Sequence, residues 1–503
     1  MAISTARHTL TTRRAWTYAA ALAALIVLTR LPVLVQPKPI DDEVVYSVVG
    51  NEIAAGGQIY LSAVERKPPL LLWTYAAVSA LFGPYNAVAL HVIATLWILA
   101  TMAAVFLIGR GLFDTGTGLM AAALYGLYQQ WVYWNNLAFN GEVMMNLPIA
   151  WAYVIAFRDR GLRSVQFALA GGLIALAFLF KQPAAVAIVP LMVLPVYAEY
   201  RRGSATFAAA LGFGLVIGIA AAVLFSNGVL GEALYWTILD HDVPHIFWQT
   251  AVVKTLLFCI LCAPIVLGAV WSVRQQYLWR EREARRLALV ILAVLSAIGV
   301  ASSGRFSAHY YTALVLPLSL LAAPALVRVG DLRFAPPFIT ARSLACALGA
   351  TAVLFAILQW RGLAAVPADT EAGAYLRAHS LPDDRIFVWG RGTRIYLDAR
   401  RRPASRYIDT FPLTGRVFGS PEWRVDTRSR ILAGAWETLE REFLSRPPAY
   451  IVDLEAEADA RYPIGGYPFL RDWVGHGYSP AQRTAEGVIY RRVAARPPDS
   501  PIN

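Results

Sequence analysis

Residues 40–83 read IDDEVVYSVVGNEIAAGGQIYLSAVERKPPLLLWTYAAVSALFG, and the rest of the chain is organised around them. Three carboxylates, Asp41, Asp42 and Glu43, follow directly on the first long apolar run. Behind them Val45, Val48, Val49 and Ile53 recur at helical spacing until Gly56-Gly57, which predicts a short amphipathic helix. Lys67-Pro68-Pro69 then opens a second apolar run to Phe82, expected to form another helix at the membrane surface. Acids and a lysine held there suit chemistry on a lipid-borne anion. Charges that only mark where helices leave a bilayer would look the same, so the remaining chain has to decide.

Working outward, the 503 residues are 57% hydrophobic and 16% charged, with a mean hydropathy of +0.49. Soluble chains carry roughly 25% charge, so this composition specifies a polytopic membrane protein. The first apolar run, 15–35, is long enough to span and no small-residue cleavage site follows it, so it reads as a retained span. The net charge of +12 does not mark a nucleic-acid binder, because the basic residues before position 365 gather in short loops on one side. Cys259, Cys262 and Cys346 all fall in expected spans. They form no disulfide framework, and the CxxC lacks further His or Cys partners for a metal.

Arg7, Arg13 and Arg14 place the N-terminus in the cytoplasm, so the first span delivers the Asp-Asp-Glu cluster to the outer face. Further spans are expected over 88–108, 117–134, 143–157, 165–180, 184–199, 205–225, a stretch ending at Arg274, 287–302, 310–327 and 343–360. That makes about eleven. The arginines at 158–163, 201–202, 274–286 and 328–342 then lie inside. Outside lie Asn140 and Glu142, Lys181-Gln182-Pro183, the 227–249 loop with Asp240, His241, Asp242 and His245, and Arg305 with His309.

From Arg361 the character changes. Charge density rises, turn residues such as Pro382-Asp383-Asp384 appear, and β-like runs at 385–389, 449–452 and 487–493 alternate with helical windows near 370–379, 431–445 and 467–475. Two domains are expected: a transmembrane catalytic domain at 1–361, with first outer loop 36–83, and a non-cytoplasmic soluble α/β domain at 362–503. The tail beyond Arg496 is expected to lack structure.

Ionisable groups at the rim of a membrane are costly to keep, which makes them functional candidates. Asp41, Asp42, Glu43, Lys67, Glu142, Lys181, Arg305 and His309 all fall on the outer face by the charge argument. Their structural alternatives are snorkelling for the lysines, a solvated loop for Glu142 and a hydrogen-bonded core position for His309. Asp240 to His245 has metal-like composition at a weak spacing.

The order Asp42-Glu43-x-x-Tyr46, Gly56-Gly57-x-x-Tyr60, Lys67-Pro68-Pro69-Leu70 and Phe82-Gly83 resembles the first outer loop of the protein O-mannosyltransferase and aminoarabinose transferase superfamily. These are C-type membrane glycosyltransferases. The resemblance continues through Asn140-Gly141-Glu142, GGLIALAFLFKQ at 171–182, Gly304-Arg305-Phe306 and His309-Tyr310, roughly residues 40–320. It implies a mainly α, polytopic membrane bundle with a small α/β domain. It also implies transfer of a sugar from a polyprenyl-phosphate carrier to a glycolipid such as lipid A or core glycan, a cell-envelope polysaccharide or a protein, on the periplasmic or outer face of the cell membrane. Under it Asp42 is the general base, Glu43 binds or orients substrate, and Glu142 is the second acidic position. Lys67, Lys181 and Arg305 neutralise the donor phosphate, His309 adds a hydrogen bond and Tyr46 lies on the carrier side. No cofactor is assigned, and a divalent metal is left open. Arg66 departs from the aminoarabinose transferases, which carry glutamate immediately before Lys-Pro-Pro. The rival readings are a lipid-linked-sugar flippase and a non-catalytic envelope assembly protein.

Overall fold

The computed structural model describes residues 12–38, 40, 42–131, 137–158, 163–197, 203–240, 247–274, 283–328, 341–415, 427–454 and 462–493. Asp41, His241, Asp242, His245 and the tail beyond Arg496 lie outside these residues, as does much of the four basic loops.

The first helices are α1 (Thr12–Thr29), α2 (Leu31–Val35), α3 (Asp42–Ala54), α4 (Pro69–Phe82), α5 (Ala87–Leu112), α6 (Thr115–Tyr128) and α7 (Gly141–Ala156). Then come α8 (Arg163–Phe180), α9 (Ile188–Tyr197), α10 (Gly203–Ser226), α11 (Leu230–Leu234), α12 (Trp248–Leu261), α13 (Ala263–Arg274), α14 (Glu283–Ser302), α15 (Thr312–Val327) and α16 (Ala341–Ala364). Among the described residues, five helices are long and apolar enough to cross a membrane: α5, α10, α14, α15 with its preceding turn, and α16. A sixth crossing results if α12 and α13 count as one span. This is a multi-pass membrane protein.

Local chemistry sets the boundaries. Pro69 starts α4, where a missing N–H costs nothing, and Gly83 at φ +89° ends it. The side chains of Asn86 and Asp114 cap α5 and α6 by accepting the N–H groups of Ala89 and Thr117. α8 and α10 approach so closely that the carbonyls of Ala209 and Ala168 fill the space a Cβ would take at Gly171 and Gly212. The single span expected before Arg274 is instead two helices meeting at 81°. Cys262 separates them and Pro264, which cannot donate back into α12, follows at the bend.

The sheet comes entirely from the C-terminal part, which carries α17 (Glu371–His379), β1 (Arg385–Trp389), α18 (Arg394–Ala399), β2 (Arg402–Pro403), α19 (Phe411–Thr414), α20 (Ala435–Ser445), β3 (Tyr450–Asp453), α21 (Pro468–Gly477), β4 (Tyr478–Arg483) and β5 (Val488–Arg492). Strand order is β2-β1-β3-β5-β4. β1 pairs parallel with β2 and β3, and β5 pairs antiparallel with β3 and β4. The continuous apolar runs of β1 and β3 form the buried centre. The polar edge strand β4 and the two-residue β2 lack that signal and go beyond the strands the sequence predicts.

Two contacts tie this part to α3 and the loop after it. Glu52, only 1% exposed, accepts a 2.9 Å hydrogen bond from Arg402 and lies 3.5 Å from Arg385. The Val64 N–H donates to the Arg406 carbonyl at 2.9 Å.

Candidate active site

Four segments remote in the chain converge at one end of the bundle. Asp42 is the first residue of α3, where unsatisfied N–H groups favour a carboxylate. One turn on, the Tyr46 hydroxyl donates to Asp42 Oδ2 at 3.0 Å. Glu142 sits likewise in the first turn of α7 and is buried. α8 ends where Gln182-Pro183 enters a tighter 3-10 turn, which leaves Lys181 extended and pointing at α7. Its ammonium pairs with Glu142 Oε1 and lies 4.4 Å from the centre of the Tyr310 ring. Gly141 makes room for that approach, since a Cβ there would press on the Lys181 stem. His309, in the turn Ala308–Tyr311 before α15, bridges the two acids. Its Nε2 is 3.8 Å from Asp42 Oδ2 and 3.9 Å from Glu142 Oε1.

Lys67 enters from the first loop. The Tyr60 hydroxyl donates to its carbonyl at 2.8 Å, its Nζ is 3.5 Å from Glu65, and it stands over the Tyr46 ring. Desolvation pushes the Asp42 carboxyl up, but Lys67, His309, Lys181 and the Tyr46 hydroxyl together hold it below its ordinary value. The reciprocal effect keeps Lys67 charged: burial lowers it, while Glu65 and Asp42 raise it further.

Beside this cluster lies a cavity of about 730 Å³, lined by Lys67, Glu142, Lys181 and Arg305 with apolar walls from Ile149, Leu292, Val300 and Leu316. That is the size of an ordinary ligand site. Glu142 Oε2 is buried without a hydrogen-bond partner. Arg66, Asp240 and Arg430 also line the cavity. Arg66 Nε is 2.8 Å from Asp240 Oδ2, and its guanidinium lies 4.0 Å from the Phe411 ring centre. Asp240, the described member of the metal-like loop, is therefore an arginine partner. Among the described residues no group of three or more His, Cys, Asp or Glu stands close enough to hold a metal ion.

The structure thus brings together Asp42, Tyr46, Lys67, Glu142, Lys181, Arg305 and His309. Glu43, expected to bind or orient substrate, goes elsewhere. Its carboxylate is fully buried and accepts the backbone N–H groups of Ile40 at 2.9 Å and Phe139 at 2.6 Å, with His91 Nδ1 at 3.8 Å. Adjacent helical residues point about 100° apart, so Glu43 turns into the scaffold when Asp42 turns towards Glu142. Nearby, buried Arg30 donates to Thr95 Oγ1 and the Leu137 carbonyl, each at 2.9 Å. The sequence reading missed Asn146 and Arg430 in the lining. Asn146 is signalled by its spacing, one turn beyond Glu142 on the same helix face. Nothing in the sequence marks Arg430.

Residues 66–229 match the family model described as dolichyl-phosphate-mannose-protein mannosyltransferase. Over that third of its length the chain is similar to membrane glycosyltransferases that use a lipid-phosphate sugar donor. ArnT from Cupriavidus metallidurans, solved with undecaprenyl phosphate, is similar to this chain at a TM-score of 0.60 and 13% identity, over 97% of this chain and 99% of that one. The Archaeoglobus fulgidus oligosaccharyltransferase AglB, solved with an inhibitory peptide and dolichol-phosphate, gives 0.53 and 15%, over 95% and 74%. The mycobacterial arabinofuranosyltransferase AftD gives 0.53 and 14%, over 97% and 40%. At these identities the structural likeness is one of fold. A further structure of the archaeal enzyme contains Zn and sulfate, at a TM-score of 0.53 and 16% identity over 94% and 73%. The donor set here offers no matching metal group among the described residues. None of the curated proteins matches this chain in sequence.

Proposed function

We propose that this enzyme transfers a sugar from a polyprenyl-phosphate donor to an acceptor hydroxyl on the non-cytoplasmic side of the cell membrane, with Asp42 as general base. The observation that carries this reading is the contact set Asp42–His309–Glu142–Lys181 beside a cavity that carries Lys67, Lys181 and Arg305 among largely apolar walls. A sugar on a lipid phosphate already has its leaving group. The acceptor oxygen attacks the anomeric carbon as the bond to the phosphate oxygen breaks, and Asp42 takes the hydroxyl proton. Negative charge grows on the departing polyprenyl phosphate, where Lys67, Lys181 and Arg305 stabilise it more strongly than in water. His309 fixes Asp42 relative to Glu142. The open oxygen of Glu142 accepts a hydrogen bond from the acceptor and so orients it. One displacement of this kind inverts the anomeric carbon.

The topology of about eleven spans and the placement of residues 362–503 as a separate domain outside the cytoplasm belong to the same proposal. The acceptor is a glycolipid, an envelope polysaccharide or a protein. Its choice falls to the cavity wall bearing Arg66, Asp240 and Arg430, where the chain departs from the aminoarabinose pattern. To test the reading, full-length protein is incubated with labelled polyprenyl-phosphate sugars and envelope acceptors. Label should move to an acceptor and leave an equal amount of polyprenyl phosphate. Donor that crosses the membrane of a vesicle without being consumed would identify a transporter instead.

A further inference from the structure

A second, smaller crevice of about 190 Å³ lies on the other side of α3 from the region already described. It opens at the seam where the α4–α5 turn meets α17 and α18, and Asn51, Ser79, Tyr85, Arg377, Asp398 and Arg400 are among its lining residues. Three features single it out. Asn51 lines it, is only 9% exposed, and its side-chain Nδ2 has no acceptor. A buried amide donor without a partner is costly to keep, so the position calls for an oxygen-bearing ligand.

Charge supplies the second feature. Of the carboxylates in the lining, Asp398 accepts from Thr370 and pairs with Arg394, and Asp369 pairs with Arg377. The Arg400 guanidinium is exposed and, among the described residues, makes no ion pair within 4 Å and no side-chain hydrogen bond, acting on Asp369 and Tyr85 only at longer range. It projects from a backbone held in the left-handed region at φ +54°. Lys38 and Arg377 line the crevice as well, so its cations outnumber its carboxylates, Asp369 and Asp398.

The third feature is its relation to lipid. The crevice begins at Gly83 and Asn86, between the exposed apolar end of α4 (Leu81 and Phe82) and the start of α5. From there Val88, Val92 and Leu96, spaced one turn apart, are 47%, 43% and 61% exposed and form an open stripe down α5. The donors therefore sit at the head of a track suited to a hydrocarbon chain.

We propose that this crevice binds the phosphate headgroup of an anionic membrane phospholipid, with Arg400 and the Asn51 amide as donors and one acyl chain on the Val88–Val92–Leu96 stripe. Such a lipid would buttress the seam from the side of α3 opposite Asp42, so its binding is separate from sugar transfer.

The test is native mass spectrometry of the full chain released from nanodiscs containing phosphatidylglycerol or phosphatidylcholine, with inorganic phosphate as a third arm. Phosphatidylglycerol should be retained in preference to phosphatidylcholine. One basic residue at a membrane surface contributes enough that Arg400→Gln should weaken retention about fivefold. Arg492→Gln, an exposed arginine at the end of β5, should leave retention unchanged. Asn51→Asp, nearly isosteric, should weaken retention further by placing a carboxylate against the phosphate. Equal retention of the two lipids, or of phosphatidylglycerol by the Arg400 and Arg492 variants, would overturn the proposal. So would displacement of phosphatidylglycerol by inorganic phosphate at equal concentration, which would make this a free-phosphate site.

Discussion

At the scale of single residues, Asp42 and Glu43 are neighbours in sequence with opposite assignments, and that difference is measurable. Asp42→Asn keeps the Tyr46 contact and the fold, so the melting temperature should stay near wild type while transfer falls about 100- to 10,000-fold. Glu43→Gln should do the reverse. Its carboxylate holds two backbone N–H groups, and weakening them should cost roughly 1–3 kcal/mol of stability, with turnover retained by the molecules that remain folded. Acid dependence follows from the cations around Asp42. Its carboxyl is held low, so the ionised base persists as pH falls and is lost only below the ordinary carboxylate range. His309→Gln removes one of the groups that hold Asp42 low, and the acid limb of the pH–rate profile should move to higher pH. An unmoved limb would take Asp42 out of the rate-determining ionisation.

At the scale of elements, Glu52 and Asp409 report how the sheet-bearing part meets α3 and the loop after it. Glu52→Ala leaves Arg385 and Arg402 facing each other without their shared carboxylate, which should cost about 3 kcal/mol in thermal or denaturant unfolding. Asp409 is pushed up to about 6 by burial, against the Phe411 N–H it accepts and with Glu65 adding to the rise. A raised carboxyl favours folding fully below its unfolded value near 3.9 and loses that contribution as pH rises through about 6. Asp409→Asn should therefore stabilise the protein at pH 7, and the gain should vanish below about pH 4. Elements with a strong period or a boundary residue were legible in the sequence: α4 behind its prolines, α5 as a long apolar run, and the apolar runs of β1 and β3. Three features were not. The bend between α12 and α13 arises inside a hydrophobic run that reads as one span. β4 forms only because β5 offers a free edge. Glu43 could not be told from Asp42, because only the chain brought alongside, at Phe139, decides which acid is consumed by backbone.

At the scale of the whole molecule, the account needs α3, α7, the α8 break and the turn before α15 to present their charges on one side of the membrane, away from the cytosol. Cysteines introduced at Ser62 and Ser303 should both react with an impermeant thiol reagent added from outside, and labelling of one only from inside would separate the proposed base from Arg305. The motifs made this convergence legible in outline, since each lies at a junction between apolar runs. They did not reveal that residues 411 and 430, far along the chain, approach the same cavity through Arg66 and its neighbours. The most direct test of the central claim is sugar transfer from labelled polyprenyl-phosphate donor by purified Asp42→Asn protein whose donor binding is measured in parallel. The account predicts donor bound as by wild type and transfer lost. Transfer at the wild-type rate would contradict it.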